Sequence, residues 1–64
     1  MKNNVKKYRN EKLLTQYELS QLIGVTRQTI GLIESGKYNP SLNLCVSMSK
    51  VLGKTLDDLF WEVY

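Results

Sequence analysis

Thr26, Arg27 and Gln28 follow the pair Gly24-Val25 in this 64-residue chain and open a segment with helical spacing. A guanidinium can donate two parallel hydrogen bonds, the pattern that guanine O6 and N7 accept. A primary amide donates and accepts at once, the pattern of adenine N6 and N7. Polar side chains of these types at the start of one helix suit base edges in the major groove of duplex DNA, where each base pair shows its own donors, acceptors and methyl groups. Arg27 is equally suited to a phosphate, and Gln28 taken alone is an ordinary solvated helix residue. Gly31 and Leu32 stand about one turn further on. Glycine inside a helix costs about 1 kcal/mol relative to alanine, so Gly31 either admits close approach of DNA or is a weak spot without a role. Leu32 is open between a thymine methyl, the core and a dimer surface. Thr26, Arg27, Gln28, Gly31 and Leu32 form the candidate base-contacting set.

A second set suits phosphate oxygens. Gln16 begins another helical segment, where its amide and nearby backbone N–H groups can hold an anion. Thr29, Ser35, Lys37, Tyr38 and Asn39 are expected to bracket another phosphate, and Tyr38 is equally explained as a surface packing residue. Phosphate contacts carry affinity that falls with salt. Glu34 does not fit a surface facing phosphates. It is expected to turn away and accept hydrogen bonds from loop backbone or a base such as Arg9, bracing the loop.

These groups need short helices held at fixed angles. A first helix is expected over Asn4–Leu13, capped by Asn3 or Asn4, with Val5, Tyr8 and Leu13 inward. A second follows Thr15, which with Glu18 has the spacing of a capping box behind a staple residue, Leu14; Leu19, Leu22 and Ile23 supply its apolar stripe. Gly24 ends it, because a sharp exit requires a left-handed residue. Ser20 is small enough for the third helix to cross closely. That helix is capped by Thr26, buries Ile30 and Ile33, and stops near Ser35-Gly36. The loop Gly36-Lys37-Tyr38-Asn39-Pro40 is a break. A fourth helix is expected from Ser41 to Leu52, with Leu42, Leu44, Cys45, Met48, Val51 and Leu52 as apolar surface. Gly53 ends it, and Thr55-Leu56-Asp57-Asp58 starts a short fifth helix with acidic residues where the helix dipole favours them.

The formal charge is +3, and 42% of residues are hydrophobic. A chain of this size supports one domain, residues 1–64, with a marginal core. Lys2, Lys6, Lys7, Arg9 and Lys12 crowd the beginning, while Asp57, Asp58 and Glu62 make the end acidic. That asymmetry would orient the chain towards a polyanion, though a solvated basic terminus explains the lysines equally well. Cys45 is alone and reads as a small buried hydrophobe. No apolar run approaches the roughly 20 residues needed to span a bilayer, and a cytoplasmic location is expected. There is no histidine, no paired-cysteine metal site and no glycine-rich phosphate loop after a strand, so neither enzymatic activity nor a metal or cofactor is expected.

The stretch LTQYELSQLIGVTRQTIGLIESGKYNPSL, followed by a helix and the ending KTLDDLF, resembles the Cro/repressor-type (XRE-like) helix-turn-helix family over approximately Val5 to Phe60. The resemblance implies an all-α, compact five-helix repressor-like domain with a central helix-turn-helix, and sequence-specific binding of operator DNA. It matches Gln16 to a phosphate-gripping position, Ser20 to the small crossing residue and Gly24 to the turn glycine. Thr26, Arg27, Gln28 and Leu32 match recognition positions, and Glu34 with Gly36-Lys37 the characteristic loop. Tyr17 departs from the small or acidic residue common there, and Gly31 leaves one base-reading position empty.

One recognition helix covers few base pairs, and such proteins often bind half-sites about 34 Å apart as dimers. A homodimer through residues 59–64 is therefore expected, with Phe60, Trp61, Val63 and Tyr64 as its surface, since aromatic residues favour interfaces. The alternative is that Phe60 closes the core while Trp61 and Tyr64 pack on the first helix. A rival function is a protein-interaction module, an antitoxin-like partner of an unidentified regulatory protein on the same fold.

Overall fold

The computed structural model describes residues 2–61, which contain five helices and no strand. They are α1 (Val5–Glu11), α2 (Gln16–Ile23), α3 (Arg27–Glu34), α4 (Leu42–Leu52) and α5 (Leu56–Phe60). The all-α architecture with a central two-helix corner is the one expected.

Each helix start has a local cause. Thr15 accepts from the Glu18 amide while the Glu18 carboxylate accepts from the Thr15 amide, and Thr55 and Asp58 repeat this reciprocal pairing at α5. Thr26 and Ser41 cap α3 and α4 in the simpler way. At α1 the Asn3 side-chain oxygen, Oδ1, accepts from the Val5 amide at 3.1 Å. Asn3 and Asn4 also staple the start of the chain to the fold, donating to the Ile33 and Asp58 carbonyls at 2.8 Å each.

Two helix ends share one geometry. After α3, Gly36 takes φ +76° while its N–H and that of Lys37 donate to Ile33 and Leu32. After α1, Leu13 takes φ +58° while its N–H and that of Leu14 donate to Asn10 and Arg9. Both are Schellman endings. The first uses the residue that enters the left-handed region without cost; the second forces a side chain into it.

That second ending corrects the expected inward position of Leu13. The helix stops at Glu11, the left-handed turn throws Leu13 outward, and it is 89% exposed while Leu14 packs against the core instead. Leu22 and Leu42 are also corrected, at 59% and 68% exposed. Each sits about 100° around its helix from the centre of the stripe that is buried.

The core joins all five helices: Val5 from α1, Leu19 from α2, Ile30 and Ile33 from α3, Cys45, Met48 and Leu52 from α4, and Leu59 and Phe60 from α5. Phe60 is 1% exposed, which corrects its expected place on a dimer surface: with Leu59 it forms the apolar side by which α5 docks on the core. Cys45 is buried, with its thiol 3.8 Å from the Pro40 carbonyl. No helix among the described residues is long and apolar enough to cross a membrane.

Candidate nucleic-acid interface

The corner between α2 and α3 is the most extensive helix contact among the described residues. Gly24 makes it: at φ +78° its N–H and the Val25 N–H both donate to the Ser20 carbonyl. Ser20 is fully buried beneath the crossing, with its hydroxyl donating to the Tyr17 carbonyl at 2.6 Å. With Ile30 and Ile33 fixed in the core, the opposite side of α3 has to face water.

That side carries the candidate base readers. Thr26, Arg27, Gln28 and Leu32 are exposed, and Gly31 is half-buried. Thr26 is partly committed to its cap, accepting from the Thr29 amide, and the two threonine hydroxyls lie 2.9 Å apart. A Cβ built on Gly31 would meet only Gln16 Nε2, at 4.0 Å, so no protein contact demands a glycine there.

The candidate phosphate residues gather at the two ends of α3. Gln16 is brought to its beginning, where the Gln16 side-chain oxygen accepts from Arg27 Nη1 at 2.7 Å. At its other end, the Leu32 carbonyl accepts from the Ser35 hydroxyl and from the backbone N–H groups of Lys37 and Tyr38. The loop is thereby folded back on the helix, and the side chains of Ser35, Lys37, Tyr38 and Asn39 are exposed.

Glu34 turns away from this surface. Its carboxylate accepts from Arg9 Nε at 2.7 Å, Arg9 Nη2 at 3.2 Å and Gln16 Nε2 at 3.0 Å, and both charged side chains are almost excluded from water. Arg9 also donates to the Leu14 carbonyl at 2.7 Å. The brace expected from Glu34 and Arg9 is present, and it includes Gln16. No spacing rule joins Gln16 to Arg27, which come together only through the helix crossing.

A polar helix face beside a glycine-turned corner is the geometry of a helix-turn-helix. The chain belongs to the helix-turn-helix family. The family model matches residues 5–59, nearly the whole described fold. The helix-turn-helix is of the Cro/repressor type, a family of DNA-binding transcriptional regulators. The uncharacterized HTH-type transcriptional regulator MJ0272 of Methanocaldococcus jannaschii is 48% identical over 60 residues, covering 94% of this chain and 91% of that protein. The uncharacterized HTH-type transcriptional regulator YgzD of Bacillus subtilis is 43% identical over 61 residues, covering 95% and 92%.

Solved helix-turn-helix structures superimpose closely. The restriction-modification controller protein C.AhdI of Aeromonas hydrophila gives a TM-score of 0.78 at 28% identity, over 84% of this chain and 82% of that one. The clp gene regulator ClgR of Corynebacterium glutamicum gives 0.79 at 26% identity over 84% of this chain, which spans 57% of ClgR's length.

Of the residues expected on a dimer surface, Trp61 alone is offered outward among the described residues, at 74% exposure. Val63 and Tyr64 lie outside them. Trp61 borders a groove of about 330 Å³ with Leu42, Cys45, Leu56, Asp57 and Phe60. The apolar residues that rim it, Leu42 and Leu56, carried no dimer signal in the sequence because helical spacing assigned Leu42 to the core.

Proposed function

We propose that this protein is a repressor that enters the major groove of operator DNA with the start of α3, in the cytoplasm, and blocks transcription by occupying the site. The observation that carries this reading is the exposed row Arg27, Gln28 and Leu32 on a helix whose other side is locked into the core. Such a helix meets DNA without rearranging, so little ordering cost is left to binding. Arg27 and Gln28 discriminate bases, Thr26 and Leu32 add contacts beside them, and bare Gly31 lets the duplex come close. Gln16, Thr29, Ser35, Lys37, Tyr38 and Asn39 hold the flanking phosphates and set the register.

The working unit is a homodimer. Leu42, Leu56 and Trp61 place large apolar side chains in water around one groove, and a two-fold copy seated there would cover them while giving the operator two half-sites. Selection of bound duplexes from a random pool tests both statements. An inverted repeat with half-site centres about 34 Å apart is expected. Recovery of unrelated duplexes would overturn specific recognition, and recovery of single half-sites would overturn the dimer.

A further inference from the structure

Asn4 stands at the N-cap of α1, yet its side chain makes no cap bond. An asparagine there ordinarily accepts from the second or third amide of its own helix. Instead Asn4 Nδ2 donates to the Asp58 carbonyl at 2.8 Å, and the Asn4 backbone N–H donates to the Leu59 carbonyl at 2.9 Å. The cap falls to Asn3, whose Oδ1 accepts from the Val5 amide while its Nδ2 donates to the Ile33 carbonyl at 2.8 Å. Ile33 is in the last turn of α3, and Asp58 and Leu59 are in the last turn of α5. Carbonyls there have no partner within their own helix. Two adjacent asparagines thus hold the ends of two helices that are far apart in sequence. One is the reading helix, and the other forms one side of the Trp61 groove.

We infer that Asn3 and Asn4 are positioning residues that set the angle between α3 and α5, and through it the spacing of the two DNA half-sites. α1 packs against both helices, while α3 and α5 share no extensive contact of their own. The apolar hold on α5 is the burial of Leu59 and Phe60, and apolar burial has no preferred direction. Hydrogen bonds have one. The same helix supplies Leu56, Asp57 and Phe60 to the groove, and Trp61 follows it. A second copy seated there inherits any tilt of α5, and the two-fold axis then displaces both reading helices at once. A clasp that fixes α5 against α3 in each copy is preorganised for one distance between half-sites.

This inference rests on the proposed homodimer on operator DNA, so the test has one arm without DNA. The proteins compared are the full chain, Asn4→Ala, and Asn3→Ser combined with Asn4→Ala. Serine keeps an oxygen for the Val5 amide and loses the amide donor to Ile33; Asn4→Ala removes no cap bond, so at least one variant keeps the start of α1 intact. The first readout is the set of backbone N–H residual dipolar couplings of α3 and α5 in the free protein. In the full chain both helices are expected to fit one alignment, and in the variants the α5 couplings are expected to shrink relative to those of α3. The same fit in all three proteins would overturn the inference whatever happens with DNA. The second readout is affinity for paired half-sites at the selected spacing, at spacings one base pair longer and shorter, and for a single half-site. The double variant is expected to lose about fivefold or more of the preference for the selected spacing, the lower end of coupling between two sites, with single half-site affinity unchanged. Equal loss on every duplex, the single half-site included, would make the clasp a plain stabiliser of the fold and overturn the inference. A full chain indifferent to spacing would fail the dimer reading instead, and the dipolar couplings would still decide whether the asparagines orient α5.

Discussion

Arg9 and Glu34, separated by 25 positions, form a two-point hydrogen-bonded ion pair that ties the first helix to the end of the recognition helix almost out of reach of water. Removing one partner of such a pair strands the other charge and costs about 3–5 kcal/mol, a large share of the roughly 5–15 kcal/mol that holds a domain together. Glu34→Ala and Arg9→Ala are each expected to lower the unfolding free energy by that amount. The double variant Arg9→Met with Glu34→Leu is expected to cost clearly less than the sum, because no charge is left buried. Urea denaturation measures all three, and strict additivity would contradict the coupling.

Leu13 occupies the left-handed region while almost fully exposed. The strain of a non-glycine residue there is about 1–2 kcal/mol, partly offset in a glycine variant by the greater freedom of the unfolded chain. Leu13→Gly is therefore expected to leave the unfolding free energy unchanged or raise it by about 1 kcal/mol. A loss of about 2 kcal/mol or more, the usual result of truncating a core leucine, would place the side chain inside.

These two sites show what local pattern can and cannot carry. The Glu34 brace was legible because a carboxylate among phosphate-facing residues needs a cation. The caps at Thr15, Thr26 and Thr55 were legible because they depend on neighbours three positions away, and Gly24 and Gly36 because only a special backbone needs them. Leu13 was not. The chain leaves α1 two residues earlier than its apolar spacing suggests, and Leu14, one position on, takes the inward place. Leu22 and Leu42 sit at positions that helical spacing allows to the core, but five short helices bury narrow stripes. The Gln16–Arg27 bond depends on the angle between two helices, which no spacing encodes. Counting aromatic residues places Phe60 outward, whereas α5 docks by burying it together with Leu59.

Gly31 offers a separation of stability from binding. Alanine there gains helix propensity of about 1 kcal/mol and meets nothing closer than 4.0 Å within the protein. Gly31→Ala is expected to raise the melting temperature by about 4–8 °C and, if the duplex approaches this point, to weaken binding of the selected site. Thermal unfolding and titration of the same sample check both, and unchanged affinity would remove Gly31 from the contact surface.

Exposed charges and exposed readers are expected to fail differently. Lys37→Ala weakens binding to selected and scrambled duplexes alike and reduces the slope of log affinity against log salt by about 1. Arg27→Ala and Gln28→Ala each reduce preference for the selected site, by about 1–3 kcal/mol, more than they reduce binding to scrambled DNA. Titrations at several salt concentrations distinguish the two patterns, and a uniform loss in all three variants would leave only backbone contact.

Trp61 and Leu42 are at the rim of the groove and outside the buried core. Trp61→Ser and Leu42→Ser are expected to weaken self-association while changing the unfolding free energy of the monomer by about 0.5 kcal/mol or less, as surface substitutions do. Sedimentation velocity across a concentration series reads the first effect, and an unchanged profile in both variants would overturn this groove as the proposed dimer surface.

The most direct test of the central claim is the affinity of the full chain for the selected duplex and for a scrambled duplex of the same composition, side by side at near-physiological ionic strength. A helix that presents Arg27 and Gln28 ready for base edges predicts a preference of about a thousandfold or more. Equal affinities would contradict it and reduce the α2–α3 corner to an electrostatic contact.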